Sequence, residues 1–339
     1  MDLAPDRVRE MVTAFRGRRV LAVGDPMLDR FVYGSVERIS PEAPVPVVRV
    51  REEHDMPGGV GNVGANIASL GGDAVVAGLV GCDAAARDLR EVFRRWDIAD
   101  ELLGLEGVST AVKSRVVAER QQVVRVDRER PFELDRAGFE RFCERLRFEM
   151  DRVSAVILED YGKGTLGQDV VDFVLREASE RGLPAGYDPR EGHSLRVEGL
   201  ALATPNRAEA FSAAAIPWSP PAENPLEDGP LCAAGEKLRE QWRTDQLFVT
   251  LGPGGMLVFA REGAPRHIPT MVREVFDVSG AGDTVMAAAM LAMISGATPE
   301  ETAEIANLAA GVVVGKIGTA RCGPEELVEY ARSWQREQA

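Results

Sequence analysis

The sequence predicts an α/β protein, a three-layer α/β/α sandwich with a mostly parallel central sheet and a small β-sheet lid. Three observations lead there. Short apolar runs rich in β-branched residues, RRVLAVGD, AVVAGLVG, VSAVILED, LPAGYDP and QLFVTLG, recur along the chain between longer amphipathic stretches. Runs that are apolar at nearly every position belong to strands buried on both faces, the parallel and helix-covered arrangement. Two valine-rich segments, about 30–51 and 110–127, alternate with period two and have no helix between them, which predicts a small accessory sheet lying over the main one.

Taken in order, RRVLAVGD and AVVAGLVG supply early strands, and VSAVILED, LPAGYDP and QLFVTLG continue the sheet. Helical periodicity over 135–148, Ala281–Ile294, Pro299–Val314 and 324–334 provides the covering layers. The stretch AAAIPWSPPAENPLEDGP, 213–230, is proline-rich and aperiodic, and reads as a surface loop before a helix starting near Leu231. VTLGPGGMLVF sets a glycine turn between two strand-like runs, suited to a hairpin or to backbone contact with a nucleotide. There is no internal repeat, and the chain reads as one domain over 1–339 with the two lid segments inserted in it.

Composition removes several function classes. At 45% hydrophobic and 28% charged residues, with no apolar run of 18, the 339-residue chain reads as globular with no membrane span. The opening MDLAPDRVREMVTAF lacks the basic and then apolar order of an export signal, so the expected location is the cytoplasm. Cys82, Cys143, Cys232 and Cys322 are widely spaced, which predicts reduced thiols and no disulfide or zinc framework. A net charge of −14 argues against nucleic acid as a partner. His54, His193 and His267 have no metal-ligand spacing, and neither a G-x-S-x-G elbow nor a P-loop lysine motif occurs.

The sharpest motif is DVSGAGDT, 277–284, a glycine-rich turn opening onto the small-residue helix VMAAAMLAMI. Unpaired N–H groups of Gly280, Ala281, Gly282 and Asp283 at a positive helix end form an anion hole for a transferring phosphoryl group. Asp283 then accepts the proton of a sugar hydroxyl, or else merely caps and charges the helix start. Earlier, PGGVGNVGANIASLG carries Gly59, Gly61 and Gly64 in G-x-G-x-x-G spacing. The valine-rich strand before it ends near Arg51, leaving 52–57 in between, so the tight turn of a dinucleotide fingerprint is missing. A sugar site with Asn62 fits better, and close helix packing is the plain alternative.

Asp29, Asp160 and Asp188 follow apolar runs and so fall near the carboxyl edge of the sheet, where open α/β sheets bind ligands. Lys163 is placed to hold a substrate phosphate, and Asn206 with Glu209 in TPNRAE to organise Mg-bound phosphates. Each of these is also readable as an ordinary loop polar group.

Together, PGG-x-x-N and DVSGAGDT resemble the two signatures of the ribokinase, or PfkB, family of carbohydrate kinases, over nearly the whole chain. GDPMLDRFVYGSVERISPEAPVPVVRV, RQQVVRVD, DYGKG, TPN and GVVVGKIGT are similar to its heptose 7-phosphate kinases of lipopolysaccharide core biosynthesis. The resemblance implies a ribokinase-like fold and transfer from ATP, with Mg2+, to the anomeric hydroxyl of D-glycero-D-manno-heptose 7-phosphate. It implies sugar contacts at Asp29, Gly58, Gly59 and Asn62, and places Arg115, Gln122, Arg125 and Lys163 on the sugar or its distal phosphate. Asn206, Glu209, Thr250, Gly252, Gly255 and Asn307 would serve the nucleotide and Mg2+, with Asp277 and Ser279 at a monovalent cation such as K+. A homodimer through the lid is implied as well. Arg190 in YDPR departs from the lysine usual there, replacing a point charge by a planar fork. The alternatives left open are another sugar or nucleoside kinase of the family and a non-catalytic sugar-phosphate sensor on the same fold.

Overall fold

The protein is described by a computed structural model over residues 3–119, 121–130, 132–272, 275–316 and 320–338. Residues 317–319 of GVVVGKIGT and Arg120 of RQQVVRVD therefore lie outside the described residues. Helix α1 (Pro5–Ala14) leads into β1 (Arg19–Gly24), after which the chain departs as β2 (Pro26–Ile39) and returns as β3 (Pro46–Gly59). Then come α2 (Val60–Ser69), β4 (Asp73–Gly81), α3 (Ala84–Arg95), β5 (Ile98–Leu105), β6 (Ala111–Ala118) and β7 (Gln121–Arg128). The next segment holds α4 (Arg136–Met150), β8 (Ala155–Glu159), α5 (Gln168–Arg181), β9 (Ala185–Asp188) and β10 (Leu202–Ala203). Last are α6 (Arg207–Ala213), α7 (Gly229–Gln241), β11 (Gln246–Thr250), β12 (Met256–Ala260), β13 (Arg266–Ile268), α8 (Ala281–Ile294), α9 (Pro299–Val314) and α10 (Pro324–Gln338).

The main sheet runs in the order β13-β12-β11-β10-β9-β8-β1-β4-β5 and is parallel except for β12. Strand alternation sorts its side chains into two cores. Val20, Ala22, Val76 and Ile157 face α2, α8 and α9, while Leu21, Val23, Val156 and Leu158 face α4, α5 and α7. Helix α8 is apolar all round and buried from Asp283 to Ala292, so its alanines and methionines fill the space between sheet and α9.

The lid is a four-stranded sheet, β3-β2-β6-β7. Its strands exceed the expected 30–51 and 110–127, since β2 starts at Pro26 and β3 runs to Gly59. That overturns one step of the sequence argument, because no gap separates the strand from the glycine segment and β3 passes straight into α2. Only Gly59 has the backbone of a turn glycine, at φ 58, where a Cβ would come within 2.2 Å of the Asp25 carbonyl oxygen. Gly61 and Gly64 are helix-packing positions, where a Cβ would meet Phe93 at 2.9 Å and Val76 at 2.5 Å. The strand feeding this helix belongs to the lid and not to the parallel sheet, so the spacing is no dinucleotide fingerprint.

The proline-rich loop ends slightly early. Asp228 caps α7 by accepting from Leu231 N and also takes Arg207, and Pro230 sits in the first turn where its missing N–H costs nothing.

Candidate active site

The chain order of the sheet reverses at β1, which has β4 on one side and β8 on the other, so the ends of β1 and β8 open a crevice. Asp25, just past β1, is buried there and missed by the sequence reading. Its carboxylate accepts from the main-chain N–H of Tyr161 (3.2 Å), Lys163 (2.9 Å) and Thr165 (2.8 Å). One side chain thereby fixes the loop after β8 in a single shape.

Register decides which acids enter the crevice. Glu159 pairs with Asp188 across β8 and β9, and adjacent in-register residues share a face, here the face of α8. Asp160, one residue on, points to the other face. Its side chain takes His193 Nδ1 at 2.7 Å and Gly162 N at 2.8 Å. Glu159 and Asp188 meet Asp283 from the start of α8, and all three offer carboxylate oxygens within 4.8 Å of one another. Burial raises the pKa of each above the ordinary carboxylate range; the charges of Asp188 and Asp283 raise Glu159 further, and those of Glu209 and Asp283 raise Asp188 further. Glu159 Oε2 is buried without a hydrogen-bond partner among the described residues. Such a set of hard oxygen donors fits a divalent cation of the Mg2+ type.

Asp283 is gripped on both oxygens. Asn62 Nδ2 donates to Oδ2 at 2.5 Å and Tyr161 Oη donates to Oδ1 at 2.7 Å. Both bonds favour the ionised carboxylate and partly offset the effect of burial. Asn66 holds the same contact together, accepting from the Thr284 hydroxyl at 2.9 Å and donating to the Asn62 carbonyl. At the turn, the N–H groups of Gly280, Gly282 and Asp283 have no main-chain acceptor among the described residues, whereas Ala281 N donates to Val278 O at 3.3 Å. Ala281 is therefore the weakest member of the expected anion hole.

On one side of Asp283 lie the expected sugar residues. A Cβ on Gly58 would come within 2.7 Å of Asp29 Oδ2, so glycine there lets the carboxylate lie flat against the backbone. Asp29 accepts from Arg115 Nη1 at 2.7 Å. Lys163 donates to Glu129, Arg125 is half-exposed and paired with Asp127, and Gln122 is exposed on β7. Arg190 donates to the Tyr161 carbonyl and packs over Gly162.

The expected nucleotide residues gather at the ends of β10 and β11. Asn206 bridges to Thr250, and Gly252 and Gly255 take φ of 56 and 80 in the turn that follows. A Cβ at Gly255 would stand 2.1 Å from the Ile268 carbonyl oxygen, and Asn307 donates to the adjoining Pro269 carbonyl at 2.7 Å. Asn206 and Glu209 form a reciprocal capping box on α6, so their side chains are first of all helix caps. Burial pushes Glu209 up to about 7, and the Glu191 charge adds to that rise. Asp277 accepts from Ser279 N at 2.9 Å in an exposed turn. A groove lined by Arg176, Arg196 and Arg239 lies at the opposite, amino edge of the sheet.

A buried acid at a glycine-rich helix start, with sugar-type contacts on one side and a glycine turn on the other, defines a phosphoryl-transfer cleft. Residues 18–326 match the pfkB family carbohydrate kinase model, and the chain belongs to that family. It is 39% identical over 320 residues to bifunctional protein HldE of Paramagnetospirillum magneticum, covering 94% of this chain and 64% of that protein. It is 41% identical over 317 residues to the HldE of Gluconacetobacter diazotrophicus, covering 93% and 64%. The chain thus spans under two thirds of the length of these relatives. In structure it is similar to Escherichia coli phosphofructokinase-2 in complex with potassium, with TM-score 0.76, 19% identity, and 94% and 100% of the two chains covered. Arabidopsis thaliana ribokinase complexed with ribose and ATP gives TM-score 0.70 at 18% identity, covering 93% and 99%. At these identities the two structures establish the fold, the ribokinase-like α/β sandwich.

Proposed function

We propose that this chain transfers the γ-phosphoryl group of ATP to the anomeric hydroxyl of D-glycero-D-manno-heptose 7-phosphate, giving the 1,7-bisphosphate. The observation that carries this reading is the juxtaposition of Asp283, Asn62 and Tyr161 beside the half-free turn amides. The similarity to HldE proteins along more than nine tenths of the chain supports the choice of sugar. Bond by bond, the γ-phosphorus parts from the β-phosphate bridging oxygen and joins the sugar oxygen, whose proton passes to Asp283. Gly280 and Gly282 N–H groups stabilise charge on the moving phosphoryl oxygens. Asn62 and Tyr161 keep Asp283 oriented and favour its ionised form, and it receives the proton late, as a loose transition state allows. Asp29, Gly58, Gly59 and Arg115 hold the sugar ring, with Lys163 toward its distal phosphate.

Glu159 and Asp188 would hold Mg2+, which when bound would supply positive charge to offset that of the transferring phosphate. Thr250, Gly252, Gly255 and Asn307 line the nucleotide side, with Asn206 and Glu209 fixing α6 beneath it. Asp277 and Ser279 face a monovalent cation such as K+. In this reading the chain works as one kinase domain with the lid inserted in it, in the cytoplasm, where it supplies a step toward ADP-heptose for the lipopolysaccharide core. It acts as a dimer through the lid. That pairing is supported by Ile39, Val45, Val50, Val124 and Val126, which lie exposed there.

The test is product mass from Mg-ATP with heptose 7-phosphate, ribose, fructose, fructose 6-phosphate and adenosine. Selective heptose bisphosphate supports the reading. Preference for any other acceptor overturns the choice of sugar.

A further inference from the structure

Under the lid, a carboxylate already occupies the place where two lysines converge. Asp29 on β2 lies in register with Lys113 on β6, and Lys113 in register with Asp127 on β7, so the three share one face of the lid sheet. Lys113 Nζ lies 3.2 Å from Asp127 Oδ2 and 3.2 Å from Glu129 Oε2. From the body of the protein, Lys163 Nζ reaches the other oxygen of Glu129 at 2.6 Å. Both lysine side chains are only 18% exposed. Lys163 cannot retreat easily, because Asp25 pins its backbone through the N–H groups of residues 161, 163 and 165. Glu129 stands just beyond the end of β7, where a swing of its side chain breaks no ladder hydrogen bond.

We propose that Glu129 is an internal stand-in for the phosphate of the acceptor: the incoming phosphate displaces its carboxylate, and Lys113 joins Lys163 in binding phosphorylated sugars selectively. This rests on the sugar-phosphate reading above. The exchange runs in the right direction on charge alone. A phosphate monoester carries about −1.5 to −2 and three acceptor oxygens, against a single charge and two oxygens for the carboxylate. Lysine suits the exchange, since its ammonium offers three donors that re-aim by rotation. A permanent lid-to-body salt bridge would predict the opposite response to loss of the acid, because cutting it would loosen the site for every acceptor.

The experiment compares the wild type with Glu129→Gln and Lys113→Met. Its readouts are KM for the sugar phosphate against its dephosphorylated counterpart, and inorganic phosphate binding by calorimetry. Glu129→Gln is expected to lower the sugar-phosphate KM relative to the plain sugar by about tenfold, and Lys113→Met to raise it by about tenfold or more, the scale of one charged hydrogen bond. Phosphate binding follows the same order. A raised KM ratio in Glu129→Gln, or phosphate binding unchanged in both variants, overturns the inference. Tighter phosphate binding by Glu129→Gln without turnover of any sugar phosphate would uphold the stand-in and overturn the acceptor assignment instead.

Discussion

Two acidic regions of this molecule are built on opposite terms. At the carboxyl edge of the sheet, Glu159, Asp188 and Asp283 crowd within 4.8 Å, with no Lys or Arg ion pair to any of them among the described residues. Beneath the lid, Asp29, Asp127 and Glu129 are each matched, by Arg115, by Arg125 with Lys113, and by Lys113 with Lys163. The first region is short of positive charge and suited to receive a cation. The second is balanced, and an incoming anion must exchange with what is there.

The largest effect is expected at the acid common to cleft and chemistry. Asp283→Asn should keep its fold, read by circular dichroism, and lose roughly a thousandfold in kcat, the middle of the general-base range. Turnover within tenfold of wild type would remove Asp283 as the base. Glu159→Gln should raise the Mg2+ concentration needed for half-maximal rate by about tenfold or more. The same variant should melt about 2 °C higher without metal at pH 8, because the carboxylate penalised there by burial and by Asp188 and Asp283 is gone. A lower melting point in EDTA would break the contrast between the regions.

A pH series sharpens it further. Glu159, Asp188 and Asp283 are shifted upward, and Glu209 rises from 4.5 to about 7. Between these limits the folded state binds more protons than the unfolded one, so stability falls as pH rises. The lid acids Asp127 and Glu129 are shifted downward, their burial outweighed by the Arg and Lys partners, and act only below the ordinary carboxylate range. Without metal, Tm should therefore drop from pH 5.5 to 7.5, and Mg2+ should stabilise more at pH 8 than at pH 6. A metal-free Tm that climbs over this window would contradict the arrangement. The smallest effect belongs to the lid's outer face, where Val124→Glu with Val126→Glu should shift mass in light scattering from dimer to monomer and leave Tm within about 2 °C.

Much of this was legible beforehand because it rests on local pattern. Alternating strands and helices and the helix bounds Ala281–Ile294 and Pro299–Val314 follow from periodicity and glycine placement. What escaped was decided by parity and by partners distant in the chain. Asp160 and Glu159 are adjacent, yet strand alternation sends one to His193 and the other to Asp188, and no composition signal distinguishes them. Asp25 and Asp29 share the segment GDPMLD, and only the fold shows that Asp25 holds the loop at 161–165. Tyr161 reads as a loop aromatic until α8 brings Asp283 to its hydroxyl. Asn206 and Glu209 carried a legible signal of another kind, an N-cap and its N3 acid, which explains their geometry without a ligand.

Strand β2 starts two residues after β1 ends, and β3 runs directly into the helix that carries Asn62. Mechanically, the lid is a lever rooted in the crevice itself. Each arm has 14 residues, about 40 Å of strand. A turn of about 5° at the root moves the tip by about 3.5 Å, and conversely a load applied at the tip is delivered, with large mechanical advantage, to the glycines beside Asp283.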